Sequence, residues 1–261
     1  MRQTFTLSAN ISMLFPDLPF VERIGAAAAA GFRAVECQFP YAFSASDVAG
    51  ELARHGLVMN GINTPQGDPA KGEFGMAAMP GLQSRFRDEF EQALAYAGNV
   101  GARMIHVMSG MTGGQTTQAR DAFFENFAWA AAKARAEGVT LLIEPLNAVD
   151  RPGYFVSRSD DVVALLGELA CDNVKLLFDV YHIQIMEGDL LRRIDRHWPH
   201  IGHVQLASVP RRHEPDEGEV AFAAILDELN RREYAGFVGA EYNPRGKTQD
   251  GLGWAMPWLK P

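Results

Sequence analysis

Eight short apolar runs, separated by stretches of helical composition, limit what this chain can fold into. The runs are FTLSAN (5–10), AVECQF (34–39), LVMNGINT (57–64), MIHVMSG (104–110), TLLIEPLN (140–147), VKLLFDVYH (174–182), IGHVQLAS (201–208) and FVGAEYNP (237–244). Each has the length of a β-strand. Helical segments are expected at 19–31, 44–56, 84–101, 119–138, 157–170, 189–198 and 221–234. In the fourth of these, Phe123, Phe127, Ala130 and Ala134 recur at helical spacing. Gly31, Gly56, Gly101, Gly138 and Gly236 follow helical runs, where a left-handed C-cap is needed. Eight strands with seven crossover helices predict an α/β fold, a (β/α)₈ TIM barrel. A doubly wound open sheet is the competitor. The first strand carries no G-x-G-x-x-G, and eight units suit closure. No linker or low-complexity segment divides the chain, so residues 1–261 read as one domain with a short tail from 245 to 261. Trp254 and Trp258 in that tail are expected to pack on the outside of the barrel or against a neighbouring subunit, which leaves a homo-oligomer open.

Charge and cysteine usage narrow the function classes. The net charge is -8 and no basic run exceeds two residues, which argues against nucleic acid or an anionic membrane as partner. No stretch approaches the roughly 20 apolar residues of a membrane span, and the N-terminus lacks a signal-peptide core. The two cysteines, Cys37 and Cys171, lie far apart without a CxxC spacing. A reducing, cytoplasmic setting is expected.

In a barrel enzyme the chemistry comes from the C-terminal strand ends. Strand 5 offers Glu144, strand 6 Asp179, strand 7 Gln205 and strand 8 Glu241. Any one of these carboxylates alone reads as a salt-bridge partner or helix cap. Three acids on nearby strands would repel one another by several kcal/mol at an effective dielectric of about 20. A divalent cation held by Glu144, Asp179, Gln205 and Glu241 resolves that conflict. An all-oxygen set favours Mg²⁺ or Mn²⁺ over Zn²⁺. In HVQLAS, His203 and Gln205 share a face; two polar groups on one buried face need partners. Gln205 reads as the neutral fourth ligand, and His203 as a hydrogen-bonding group one layer deeper.

Other polar residues carry two readings each. His182, three residues past Asp179, packs a loop or touches substrate. His106 faces the mouth or the core, with the core favoured. His55, His197 and His200 read as surface groups. Glu36 bonds substrate or a neighbouring strand. Asn10, Asn63 and Asn147 read as turn formers. Arg211 and Arg212, in the polar loop VPRRHEPDEGE, are solvated or bind a substrate carboxylate in bidentate fashion. Glu187 and Gly188 are expected to open the next helix.

The segments TLSANISMLF, GFRAVECQFPY, IEPLN, FDVYHIQIMEGDL, GHVQLA, RHEPDEGE, GAEYNPRG and DGLGW together resemble the hydroxypyruvate isomerases, within the wider xylose isomerase-like barrels. The resemblance runs from about residue 5 to the DGLGW near the end. It implies a (β/α)₈ barrel, a divalent metal on Glu144, Asp179, Gln205 and Glu241, and Glu144 with Glu241 as the proton donor and acceptor pair. Ketose-epimerising relatives commonly have His where Gln205 stands. A sister group isomerises 2-oxotetronate, and RHEPDEGE and PRGKTQDGLGW are similar to it. The expected reaction is aldose–ketose isomerisation of a short hydroxy-oxo acid, hydroxypyruvate to 2-hydroxy-3-oxopropanoate. The alternatives are 2-oxotetronate isomerisation and, below it, ketose 3-epimerisation. His182 would bind a substrate oxygen and Arg212 or Arg211 the carboxylate.

Overall fold

The computed structural model describes residues 3–259. Eight parallel strands close into a barrel in sequence order, with β1 hydrogen-bonded to both β2 and β8. The strands are β1 (Thr6–Asn10), β2 (Ala34–Cys37), β3 (Val58–Asn63), β4 (Met104–His106), β5 (Thr140–Ile143), β6 (Val174–Asp179), β7 (Ile201–Leu206) and β8 (Phe237–Ala240). The helices are α1 (Glu22–Ala29), α2 (Ala45–His55), α3 (Gln83–Val100), α4 (Thr117–Ala136), α5 (Ser159–Leu169), α6 (Val180–Met186), α7 (Leu190–His197) and α8 (Phe222–Arg231). All eight expected strands and seven expected helices are present. The (β/α)₈ barrel is therefore the fold, and the open doubly wound sheet is excluded by the β1–β8 pairing.

The eighth helix, α6, was not expected. The run VKLLFDVYH reads as one long strand because no glycine or proline interrupts it. Asp179 is the interruption: its side chain accepts a hydrogen bond from the backbone N–H of Tyr181 at 2.8 Å. The last strand residue is thus also the cap of the next helix. Glu187 consequently ends α6 instead of opening α7. Its carboxylate caps a different helix, accepting from the Ser159 N–H at 2.7 Å, and pairs with Arg193 at 2.8 Å. Gly31, Gly56, Gly101 and Gly138 adopt the left-handed conformation expected of them. Gly236 does not. After α8 the left-handed residue is Glu233, and a Cβ on Gly236 would meet the Tyr234 ring at 2.6 Å.

Alternation along each strand divides the molecule into two layers. Outward-facing Leu7, Ala9, Val35, Ile105, Leu141, Leu176, Val204 and Val238 are buried with the helices in one apolar cluster. The barrel interior is mixed. Met104, Leu142 and Leu177 line it on one side, and Asn10, Glu36, His203 and Gln205 on the other. Two register shifts set which residues point inward, one at Val35/Glu36 on β2 and one at Leu176/Leu177 on β6. The second leaves Gly202 of β7 without a partner position. A Cβ there would lie 2.6 Å from Lys175 Cβ, so only glycine fits.

The tail packs on its own chain. Trp254 donates to the Tyr242 hydroxyl at 3.3 Å, and Trp258 lies 5.2 Å from the Phe5 ring. The last two tail residues, 260 and 261, and the first two of the chain lie outside the described residues. Among the described residues no helix is long and apolar enough to cross a membrane.

Candidate metal and acid–base centre

A cavity of about 660 Å³ opens over the C-terminal ends of the strands. Glu144, Gln205, Glu241, His182, Arg211 and Arg212 all line it. Glu144, Gln205 and Glu241 are buried in it, and Asp179, also buried, lies beside them without lining the cavity.

Three oxygens there have no hydrogen-bond partner. They are Glu144 Oε1, Asp179 Oδ2 and Gln205 Oε1, from the adjoining strand ends β5, β6 and β7. Buried acceptors are rarely left unsatisfied, and three on neighbouring strands match the donor set of a hard cation. Glu241 differs. Its Oε1 accepts from Asn10 Nδ2 at 3.0 Å and Gln38 Nε2 at 2.8 Å, and its Oε2 from Arg212 Nη2 at 2.9 Å. Glu144, Asp179 and His182 each offer a ligand atom within 4.8 Å of the others, a group that could hold a metal ion.

The electrostatics record the conflict between these acids. Burial pushes the Glu144 carboxyl well above its ordinary range, and the charges of Glu241 and Asp179 push it further. Burial also raises Asp179, against the pull of Arg212 and of the Tyr181 N–H. Glu241 is pushed up to about 7, chiefly by burial and by the charges of Asp179 and Glu36, while Arg212 and Gln38 pull it down. A bound dication would reverse all three shifts by favouring the ionised forms.

His182 stands on the first turn of α6. Its Nδ1 faces two donors, the Asn147 backbone N–H at 3.0 Å and Asn147 Nδ2 at 2.7 Å. Nδ1 must therefore be the lone-pair nitrogen, which places the ring hydrogen on Nε2. Burial and the nearby Arg212 charge hold the ring well below its ordinary pKa, so it is neutral. Nε2 lies 3.8 Å from Glu144 Oε1 and 3.7 Å from Asp179 Oδ2. As an N–H it is a donor lining the cavity and, in this tautomer, not a ligand for an ion, which leaves the oxygens of Glu144 and Asp179 as the donors of that group.

Arg212 sits in the loop after β7 with a left-handed backbone, φ 55°, a conformation uncommon outside glycine. Its guanidinium lies 2.9 Å from Glu241 and 3.5 Å from Asp179 and stacks over the Tyr181 ring at 4.9 Å. Arg211 is exposed at the cavity rim.

Several residues lie elsewhere than the sequence suggests. Glu36 is not one of them and takes the second of its two readings: it is absent from the cavity lining and bonds Asn10 of β1 and Asn60 of β3, its neighbouring strands, one layer down with His203. His106, expected in the core, lines the cavity with Nδ1 3.3 Å from Glu144 Oε2. Burial pushes this imidazole down to about 3, so it is neutral. His197, expected on the surface, is buried with Nε2 3.1 Å from Asp160. Asn147 forms the expected turn, accepting from the N–H groups of Val149 and Asp150, and also orients His182. The parts played by Asn10 and Gln38 at Glu241 were missed. Gln38 lines the cavity and Asn10 the layer beneath it; the sequence reads Asn10 only as a turn former and gives Gln38 no role.

A family model described as xylose isomerase-like TIM barrel matches residues 24–261. The chain is 45% identical to the 2-oxo-tetronate isomerase of Cupriavidus necator over 97% of its own length and 98% of the relative's. It is 37% identical to the hydroxypyruvate isomerase of Escherichia coli, covering 96% of this chain and 98% of that one. Among solved structures, one described as an AP endonuclease, family 2, from Brucella melitensis superposes with a TM-score of 0.95 at 45% identity, covering 97% and 99% of the two chains. An L-ribulose 3-epimerase at 21% identity shares the fold, with a TM-score of 0.78 over 98% of this chain and 88% of the other.

Proposed function

The chain belongs to the xylose isomerase-like TIM barrel family, and on that premise we propose that it is a metal-dependent isomerase that exchanges the carbonyl and the neighbouring carbinol of a short hydroxy-oxo acid. The observation that carries this reading is the set of three unpartnered buried oxygens on β5, β6 and β7 facing the glutamate of β8. Glu144, Asp179, Gln205 and Glu241 would hold the ion, and the all-oxygen set supports Mg²⁺ or Mn²⁺. When bound, the ion would draw electron density from the substrate's carbonyl and hydroxyl oxygens and acidify the C–H between them.

The chain's own residues do the rest. Glu144 and Glu241, three strands apart around the ring, form the acid–base pair: one takes the proton from the carbinol carbon and the other delivers one to the former carbonyl carbon. The His182 Nε2–H donates to the developing substrate oxyanion. Arg212, already fixed on Glu241 and Tyr181, or Arg211 at the rim, receives the carboxylate. Burial of the floor keeps water from competing for the proton.

Hydroxypyruvate is the substrate expected from the sequence. 2-Oxo-tetronate is the second reading, supported by the 45% identity to a relative bearing that name and by a cavity of about 660 Å³, ample for a fourth carbon. A nuclease role is disfavoured by the net charge of -8 and by an oxygen-donor set in place of histidines. The two unpaired cysteines support a reducing, cytoplasmic setting. The test is to assay both acids side by side with and without chelator. Turnover of at least one acid, lost on chelation and restored by Mg²⁺ or Mn²⁺, is expected. Turnover of neither, or turnover indifferent to chelator, contradicts the reading.

A further inference from the structure

We propose that Glu36 is a positioning residue for this centre: its carboxylate fixes the Gln205 amide with the nitrogen turned down into the barrel and the oxygen turned up into the cavity. The inference rests on reading Gln205 as a ligand of the metal.

Glu36 is 4% exposed and lies beneath the cavity floor. Its Oε1 accepts from Gln205 Nε2 at 2.7 Å and from Asn10 Nδ2 at 3.2 Å. Its Oε2 accepts from Asn60 Nδ2 at 3.1 Å and lies 2.8 Å from His203 Nε2. All four neighbours are groups that can donate, and an ionised carboxylate can only accept. Asn60 is itself fixed, because its Oδ1 takes the Ser8 hydroxyl and so turns Nδ2 toward Glu36.

A glutamine side chain is nearly symmetric in shape, and its two ends differ only in hydrogen bonding. With the amide reversed, two oxygens would meet at the present 2.7 Å in a buried site, and the Gln205 nitrogen would face the acids as a donor. The Glu36 charge excludes that arrangement. The upper atom, Gln205 Oε1, is buried and unpartnered, as are Glu144 Oε1 and Asp179 Oδ2. Gln205 pairs in register with Asp179 on one side and Gly239 on the other.

Room for this device is built into β8. A Cβ on Gly239 would lie 2.5 Å from Glu36 Oε1 and 2.7 Å from Oε2. The strand gives up a side chain at the one place where the carboxylate crosses the barrel. A neutral residue at 36 would leave both amide orientations open, and one of them presents no lone pair to a cation.

The test is a Mn²⁺ titration of the metal-stripped protein, read from the free-Mn²⁺ EPR signal without any turnover. Glu36→Gln is expected to weaken Mn²⁺ binding by about 10–100-fold, the usual effect of removing a partner that orients a ligand. In a Gln205→Ala background the same substitution should change binding by no more than about twofold, because no amide remains to be oriented. Unchanged affinity for Glu36→Gln, or an equal loss in both backgrounds, overturns the proposal. Neutron diffraction of the wild-type protein decides the same point without a variant. Deuterium on the Gln205 atom facing Glu36 is expected, and deuterium on the atom facing the cavity refutes it. Wild-type protein that takes up no Mn²⁺ sinks the metal reading itself, while the neutron result still decides the amide's orientation.

Discussion

Glu241 accepts hydrogen bonds on both oxygens, while Glu144 leaves Oε1 bare, and the two acids are expected to fail differently when altered. Glu144→Gln and Glu241→Gln should each lower kcat by about 10²–10⁴-fold, the range for loss of a general acid or base, with unchanged far-UV circular dichroism. In Glu241→Gln the freed Arg212 should also raise KM. Near-normal turnover in either variant removes the role assigned to that residue. The titration of Glu241 gives a second prediction. Burial and the Asp179 and Glu36 charges raise its pKa from the ordinary 4.5 to about 7 in the metal-free protein, against Arg212 and Gln38. The folded state thus holds this proton more tightly than the unfolded state does. Its stabilising contribution is full below the unfolded value and is lost as pH rises toward 7. A dication must displace the proton, so Mn²⁺ affinity should climb with pH up to about 7, roughly tenfold per pH unit and proton displaced. A pH-independent affinity measured by calorimetry between pH 5 and about 7 would contradict this assignment.

At the scale of elements, Arg245 ties the loop between β7 and α8 to the chain after β8, beside the Arg212–Glu241 pair and the His213 Nδ1 contact with the Asn243 carbonyl at 2.8 Å. Arg245 pairs with Glu214 at 2.9 Å, Asp216 at 2.8 Å and Glu217 at 3.0 Å. The backbone follows, with Asn243 N–H donating to the Arg212 carbonyl at 2.8 Å. Gly251 leaves room for Glu214, since a Cβ there would lie 2.3 Å from its Oε1. Arg245→Ala should therefore loosen Arg212 and lower kcat/KM by roughly tenfold, carried mostly by KM in steady-state kinetics. A loss confined to kcat would contradict a positioning role. The same scale separates what the sequence made legible from what it did not. The strands were readable because each is a short apolar run whose boundaries do not depend on distant residues. The α6 boundary was not, because Asp179 both ends β6 and caps the helix, and nothing in VKLLFDVYH marks the change. The acids on β5, β6 and β8 and the amide of β7 could be found from strand ends alone. The network beneath them could not: Glu36 and His203 meet across 167 residues of chain, through barrel closure and two register shifts that leave no local signal.

For the whole molecule, an acidic chain must admit an anionic substrate. The net charge is -8, yet Arg151, Arg211 and Arg212 all line the cavity over the barrel mouth. Local guanidinium groups can draw in a carboxylate that the overall charge repels. Below them the barrel supplies two layers, an upper one of acids suited to a cation and proton transfer, and a lower one that fixes their orientation. Proton transfer between Glu144 and Glu241 at that upper layer is the central step of the proposed isomerisation. Its most direct test is to run the isomerisation in D₂O with Mg²⁺ present and to examine the product by NMR. Deuterium from solvent is expected at the carbon that gains a hydrogen. Product formed with the substrate's own hydrogen fully retained would contradict it and point to a hydride shift.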